Sequence, residues 1–216
     1  MNQIILDVSR YQGAIDWDAV AASGLVDGVM LKTVSANRRF STREDGLYID
    51  PTFEHNYAAC KRVGLPVGVY YYTYATTPAM ADAELALLRQ ALAGKTFEMP
   101  VAVDVEDNKL NPIPAVELSR LVACAADAIE GWGLYAMVYT YTHYANTELD
   151  MDALRAYDLW IADYRGKRPA RPHGMWQYTS KGSVPGITGG VDLSRAYKDY
   201  PEIIRRAGLG RLREGV

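Results

Sequence analysis

The chain has 216 residues, yet it contains only two cysteines, three histidines and three phenylalanines. Two cysteines cannot build a disulfide framework. Cys60 and Cys124 sit in apolar, helix-like stretches (Ala58-Ala59-Cys60 and Ala123-Cys124-Ala125), which read as two buried free thiols. No cysteine or histidine spacing suits a metal, and His55, His143 and His173 match none of the strand ends identified below, so neither a metal nor a cofactor is expected. The segment Asp7-Val8-Ser9-Arg10-Tyr11-Gln12-Gly13 has a single glycine, which excludes a dinucleotide fingerprint, and there is no nucleophile elbow around a serine. No apolar run approaches the roughly 18–20 residues that span a bilayer. Ile4-Ile5-Leu6 is too short for the apolar core of a signal peptide and lacks a basic flank, so no leader and no membrane partner are expected. The net charge is −3 and the basic residues are scattered, apart from the C-terminal tail, which excludes a nucleic-acid footprint.

What the chain does have is an apolar fraction of 49%, enough for a sizeable core, and sixteen tyrosines with four tryptophans. Tyr and Trp join a flat apolar face to a polar tip, which suits wet, amphipathic ligands such as sugars; the same residues also line core rims. Short apolar runs alternate with helical patterns. Strands are expected at 4–8, 28–33, 67–72, 101–106, 135–141, 159–162, 175–178 and 191–193, and helices at 16–23, 50–63, 77–93, 114–129 and 152–156, with a polar loop over 36–48. Asp50-Pro51 and Thr77-Pro78 have the form of a cap followed by proline at a first helical turn. Eight strands with about five helices give an α/β fold: a TIM-like barrel of parallel strands, poor in helices in its last third. No linker divides the chain, so 1–216 reads as one barrel domain, with its core at 3–200 and a basic tail at 201–216, monomeric by default.

The stretch Val101-Ala102-Val103-Asp104-Val105-Glu106 is the most telling. Side chains two apart on a strand share a face, so Asp104 and Glu106 point one way and the valines the other, with the carboxylates roughly 6–7 Å apart. In a parallel barrel, functional groups gather at the C-terminal strand ends. Asp7 ends the first strand and Asp192 lies on the eighth, its neighbour on closure, so four acids from three strands converge on one cavity, with Tyr70, Tyr72 and Tyr139 on its wall. Such a pocket can hydrolyse a glycosidic bond, hold a hard cation or bind a sugar without cleaving it.

These segments resemble the glycoside hydrolase family 25 lysozymes, the Chalaropsis-type N-acetylmuramidases of phage endolysins and bacterial autolysins. The resemblance runs through Asp7-Val8-Ser9-Arg10-Tyr11-Gln12-Gly13-Ala14-Ile15-Asp16-Trp17, Gly64-Leu65-Pro66-Val67-Gly68-Val69-Tyr70-Tyr71-Tyr72 and Val103-Asp104-Val105-Glu106. It continues in Leu159-Trp160-Ile161-Ala162-Asp163-Tyr164, Trp176-Gln177-Tyr178-Thr179-Ser180 and Val191-Asp192-Leu193. It implies cleavage of the β-1,4 bond between N-acetylmuramic acid and N-acetylglucosamine in peptidoglycan, by a protein acting on the cell wall after secretion or phage lysis. By position, Glu106 is implied as general acid, Asp104 as its assistant, Asp7 and Asp192 as further site acids, and Tyr70, Tyr72, Tyr139, Trp160, Tyr164 and Gln177 as glycan contacts. A chitinase-like glycosidase and a non-catalytic peptidoglycan-binding module are the alternatives. The chain departs from the family at Lys32-Thr33-Val34-Ser35-Ala36-Asn37, where Glu-Gly often follows the lysine, at Tyr70-Tyr71-Tyr72 in place of Tyr-His-Phe, and at Tyr139-Thr140-Tyr141-Thr142-His143-Tyr144. These departures bear on subsite contacts and leave all four acids in place.

Overall fold

The structure is a computed structural model that describes residues 2–213; the last three residues of the basic tail lie outside the described residues. In chain order its elements are β1 (Gln3–Val8), α1 (Trp17–Ala22), β2 (Gly28–Lys32), β3 (Val34–Ala36), β4 (Leu47–Ile49), α2 (Phe53–Arg62), β5 (Val67–Tyr72), α3 (Pro78–Leu92), β6 (Val101–Asp104), α4 (Ala115–Gly131), β7 (Ala136–Tyr141), α5 (Thr142–Thr147), β8 (Asp158–Ala162), β9 (Met175–Gly182), β10 (Val191–Ala196) and α6 (Tyr200–Ala207). Eight strands close a barrel in the order β1-β10-β9-β8-β7-β6-β5-β2, and β3 and β4 form a separate antiparallel pair.

The expected eight barrel strands are all present, but they are not all parallel. β10 runs antiparallel to both β9 and β1. The cause is the connection: the link over 183–190 is too short for the crossover of about a dozen residues that a parallel return requires. The link over 163–174, equally without a helix but longer, does return β9 parallel to β8.

Strand alternation sorts the core into two layers. Val101, Val103 and Val138 point outward under the helices, together with Leu88, Leu118 and Val122. Ile5, Met30, Met99, Ala102, Met137, Trp160 and Met175 fill the barrel, and Tyr200 and Ile204 of α6 join them at its base. Gly68 faces this interior, where an added Cβ would lie 2.5 Å from the Pro100 carbonyl oxygen and 2.6 Å from the Met30 sulfur, so the close approach itself requires glycine.

Thr77 caps α3 as expected, its side chain accepting from the Met80 N–H with Pro78 at the first turn. Asp50 acts differently. Its Oδ1 accepts from the Thr52 N–H at 3.0 Å, but its Oδ2 accepts from the Arg10 N–H at 3.1 Å, so it ties the β4–α2 turn to the end of β1. Three other expectations are corrected. Residues 151–156 are turns, and the short helix lies earlier, at α5. The expected polar loop over 36–48 is loop only at 37–46, the tip of the β3–β4 hairpin, whose register pairs Ser35 with Tyr48 and Ala36 with Leu47. Cys60 is buried but Cys124 is exposed, because the buried stripe of α4 runs through Leu118, Val122, Ala125 and Ile129 and leaves position 124 on the outer face.

Candidate active site

One cavity of about 470 Å³ opens at the mouth of the barrel and is lined by all four acids, Asp7, Asp104, Glu106 and Asp192. Asp7 and Asp192 are direct cross-strand partners of β1 and β10. The expected adjacency therefore holds, although Asp192 comes from the start of a reversed strand and not from the end of a parallel one. Asp104 ends β6 between Tyr72 of β5 and Tyr139 of β7, and Tyr139 pairs in turn with Trp160. The strand stops at Asp104, and Glu106 stands just beyond it. The Val105 N–H still donates to the Tyr139 carbonyl at 3.0 Å, so the segment keeps its extended course.

The six residues implied as glycan contacts also line this cavity, in different ways. Gln177 is a buried hub: its Nε2 donates to Asp7 Oδ2 at 2.9 Å, and its Oε1 accepts from the hydroxyls of Tyr139 at 2.9 Å and Tyr164 at 2.6 Å. Trp160 is 1% exposed and meets Tyr139 and Tyr70 edge-on, with its Nε1 donating to Ser194 Oγ at 2.9 Å. It forms the cavity floor and offers no open stacking face. Tyr164 is 53% exposed at the rim. The Tyr72 hydroxyl donates to Asp107 Oδ2 at 3.2 Å.

Charge in the cavity is poorly compensated. Burial, then repulsion from Asp192, raises Asp7 well above the usual aspartate range, against the Tyr70 hydroxyl and Lys32, which lower it. Asp104 is raised well above that range by burial and by Glu106, and its buried Oδ1 has no hydrogen-bond partner. Glu106 is pushed up to about 7, chiefly by burial, with Lys32 opposing, and burial also raises Asp192. Lys32 lines the same cavity, with its Nζ 4.7 Å from the Tyr72 ring centroid.

A second cavity of about 500 Å³ adjoins the first, shares Glu106, Tyr139 and Tyr164 with it, and extends over Tyr141, His143, Asn146 and Arg165. The sequence reading missed Ser9, Tyr11, Gln12 and Tyr74 at the main cavity. Two signals were available. Tyr74 continues the alternation of Tyr70 and Tyr72, and Ser9-Arg10-Tyr11-Gln12 has the spacing of a capping box, which the structure forms at the turn after β1.

The sequence profile of Glycosyl hydrolases family 25 matches residues 6–187. The chain belongs to this family. An autolytic lysozyme from Clostridium acetobutylicum is 31% identical over 87% of the chain, which spans 54% of that relative's length. The modular autolysin LytC from Streptococcus pneumoniae, solved with a synthetic peptidoglycan ligand, superposes with a TM-score of 0.77 at 26% identity, over 91% of this family 25 chain and 47% of that one. The bacterial lysozyme from Streptomyces coelicolor shares the fold at 21% identity and a TM-score of 0.75, covering 96% and 97% of the two chains.

Proposed function

We propose that this chain is a peptidoglycan hydrolase that cleaves the β-1,4 bond between N-acetylmuramic acid and N-acetylglucosamine, as a monomeric catalytic barrel acting on the bacterial cell wall. The observation that carries the reading is the position of Glu106 at the junction of the two mouth cavities. A polysaccharide laid across both passes over this carboxyl. Asp104 and Glu106 repel one another in a buried setting, so between them they retain a proton at neutral pH. Glu106 is the half-buried member, open to both cavities, whereas Asp104 is 3% exposed. Glu106 is therefore the group able to reach a glycosidic oxygen.

In the proposed reaction Glu106 donates its proton to the leaving oxygen as the bond to the anomeric carbon breaks. Asp104 orients the neighbouring N-acetyl group, whose oxygen attacks the anomeric carbon from the opposite face. Water then opens the cyclic intermediate while the Glu106 carboxylate takes back a proton. Asp7 and Asp192 favour the developing positive charge on the sugar ring. The family relationship and the autolysin solved with a peptidoglycan ligand support the choice of substrate.

The test is digestion of purified peptidoglycan, borohydride reduction and mass spectrometry, with Glu106→Gln beside the wild type. New muramitol ends that vanish in the variant are expected. Glucosaminitol ends would place the cut at the other linkage, and no new ends on either acetylated or de-acetylated walls would overturn hydrolysis of this polymer. Nuclear magnetic resonance of the fresh product tests the participating N-acetyl group, since the route requires retention and clean inversion excludes it.

A further inference from the structure

The most exposed large aromatic side chain among the described residues is Tyr11, at 74%, and it stands on the rim of the acid-lined cavity. A tyrosine so exposed is ordinarily free to swing. Here it is fixed on several sides. Its backbone lies in the short turn after β1, where the Tyr11 N–H donates to Ser9 Oγ at 3.3 Å and the Ser9 N–H donates to Gln12 Oε1 at 2.8 Å. Its ring lies against the guanidinium of Arg10, whose Cζ is 4.2 Å from the Tyr11 centroid and 4.0 Å from the centroid of Phe40 at the hairpin tip. Arg10 Nη2 donates to the Tyr11 hydroxyl at 2.8 Å. The Arg10 backbone N–H is anchored by the buried Asp50. Arg10 Nε is buried without a hydrogen-bond acceptor, so contact with the aromatic faces is what holds this end of the group.

Phe40 is itself 49% exposed and leans on Tyr48, with ring centroids 5.6 Å apart. Tyr11, Arg10 and Phe40 thus form a rigid stack that leaves a large aromatic surface facing solvent beside the catalytic groove. Nothing in the proton chemistry of the four acids uses it. Rigid, exposed aromatic surface continuous with a polar cleft has the chemistry of a pyranose-stacking platform. A sugar ring presents axial C–H groups to the ring face and keeps its hydroxyls in water, and a platform already ordered loses little conformational entropy on binding.

We infer that the Tyr11–Arg10–Phe40 stack is an outer glycan-binding subsite, which takes a β-1,4-linked N-acetylhexosamine ring beyond the sugars flanking the scissile bond. The inference rests on the glycan-hydrolase reading above and adds to it a preference for long strands.

The experiment measures binding of N-acetylglucosamine oligomers of two to six sugars by titration calorimetry, on the full chain carrying Glu106→Gln to prevent turnover. Tyr11→Ala, Tyr11→Phe and Phe40→Ala are added one at a time, with circular dichroism confirming the fold. Affinity is expected to rise with oligomer length. Tyr11→Ala removes the last step, weakening the hexamer about tenfold, or about 1.4 kcal/mol, and the dimer less than twofold. Tyr11→Phe keeps the ring and retains most of the affinity, and Phe40→Ala falls between. Hexamer binding by Tyr11→Ala equal to the parent overturns the inference, as does a parent that binds no oligomer at any length. Digestion of peptidoglycan by the otherwise wild-type chain is run in parallel. Length-dependent binding lost in Tyr11→Ala without wall digestion would uphold the subsite and defeat the hydrolase reading. Digestion with an unaltered Tyr11→Ala hexamer affinity would do the reverse.

Discussion

At the base of the barrel the Asp158 side chain is only 6% exposed and is surrounded by donors. Lys198 Nζ lies 2.9 Å from its Oδ2, the Tyr200 hydroxyl donates to the same oxygen at 2.8 Å, and the Leu159 N–H donates to Oδ1 at 3.0 Å. At the mouth Asp104 is more deeply buried, yet one of its oxygens has no donor and Glu106 repels it. Asp163, also near the mouth, follows the pattern of the base: Arg165 and the Thr142 hydroxyl hold its carboxyl well below the usual range. The contrast separates two uses of a buried acid. Where donors saturate it, the carboxylate fastens elements together. Where they are withheld, the fold carries an electrostatic cost, the pattern that functional sites share.

The comparison can be broken at several points. The largest effect is expected at Glu106. Glu106→Gln should lower the rate of peptidoglycan cleavage by about 10³-fold, the scale of a lost general acid, with an unchanged circular dichroism spectrum. An activity loss below tenfold would move the acid role elsewhere. At the other end of the barrel, Asp158→Ala leaves the buried Tyr200 hydroxyl without its acceptor and frees the half-exposed Lys198 to solvent, and should cost about 2 kcal/mol, or a fall in Tm of about 4–8 °C. Turnover per folded molecule should be retained.

The converse test is Asp104→Asn. Because the folded-state pKa of Asp104 is raised, its ionisation destabilises the fold above the ordinary aspartate range. Removing the charge should raise Tm at pH 7 by about 3–6 °C, and the gain should fade as pH falls towards 4, while activity is lost. A thermal scan at both pH values decides it, and a fall in Tm at pH 7 would contradict the proposed strain. The smallest effect concerns Lys32, the cation that faces the acids without joining them. Glu106, near 7, must be protonated to act, so kcat/KM should decline as pH rises through 7. Lys32 lowers the Glu106 pKa, so Lys32→Met should shift that alkaline limb upward by about half a unit to one unit. An unmoved limb would show that the cation does not tune the site.

Much of the site was legible because strand periodicity and barrel closure are local rules. Asp7, Asp104 and Glu106 fall at strand ends that the apolar runs announce, and Gly68-x-Tyr70-x-Tyr72 marks one inward face. Asp192 was placed correctly on an incorrect premise, since strand direction is decided by the length of a connection and not by the strand's own residues. The β3–β4 pair was hidden because each of its strands is only three residues long and its tip is full of arginine. α5 was hidden because Thr142-His143-Tyr144-Ala145-Asn146-Thr147 has little helix propensity, and packing of the buried Tyr144 and Ala145 fixes it instead. The Arg10 stack could not be read from either segment alone, because β1 and the hairpin tip meet only in three dimensions.

The reversal of β10 also decides where the ends of the chain lie. β1 begins at the base and carries Asp7 towards the mouth, while β10 carries the chain back, pairing Ala196 with Gln3 before α6 docks beneath the barrel. A parallel last strand would have released the chain beside the acids. With this topology, the first and last described residues both lie on the side opposite the groove. The open face of the barrel is left clear of both.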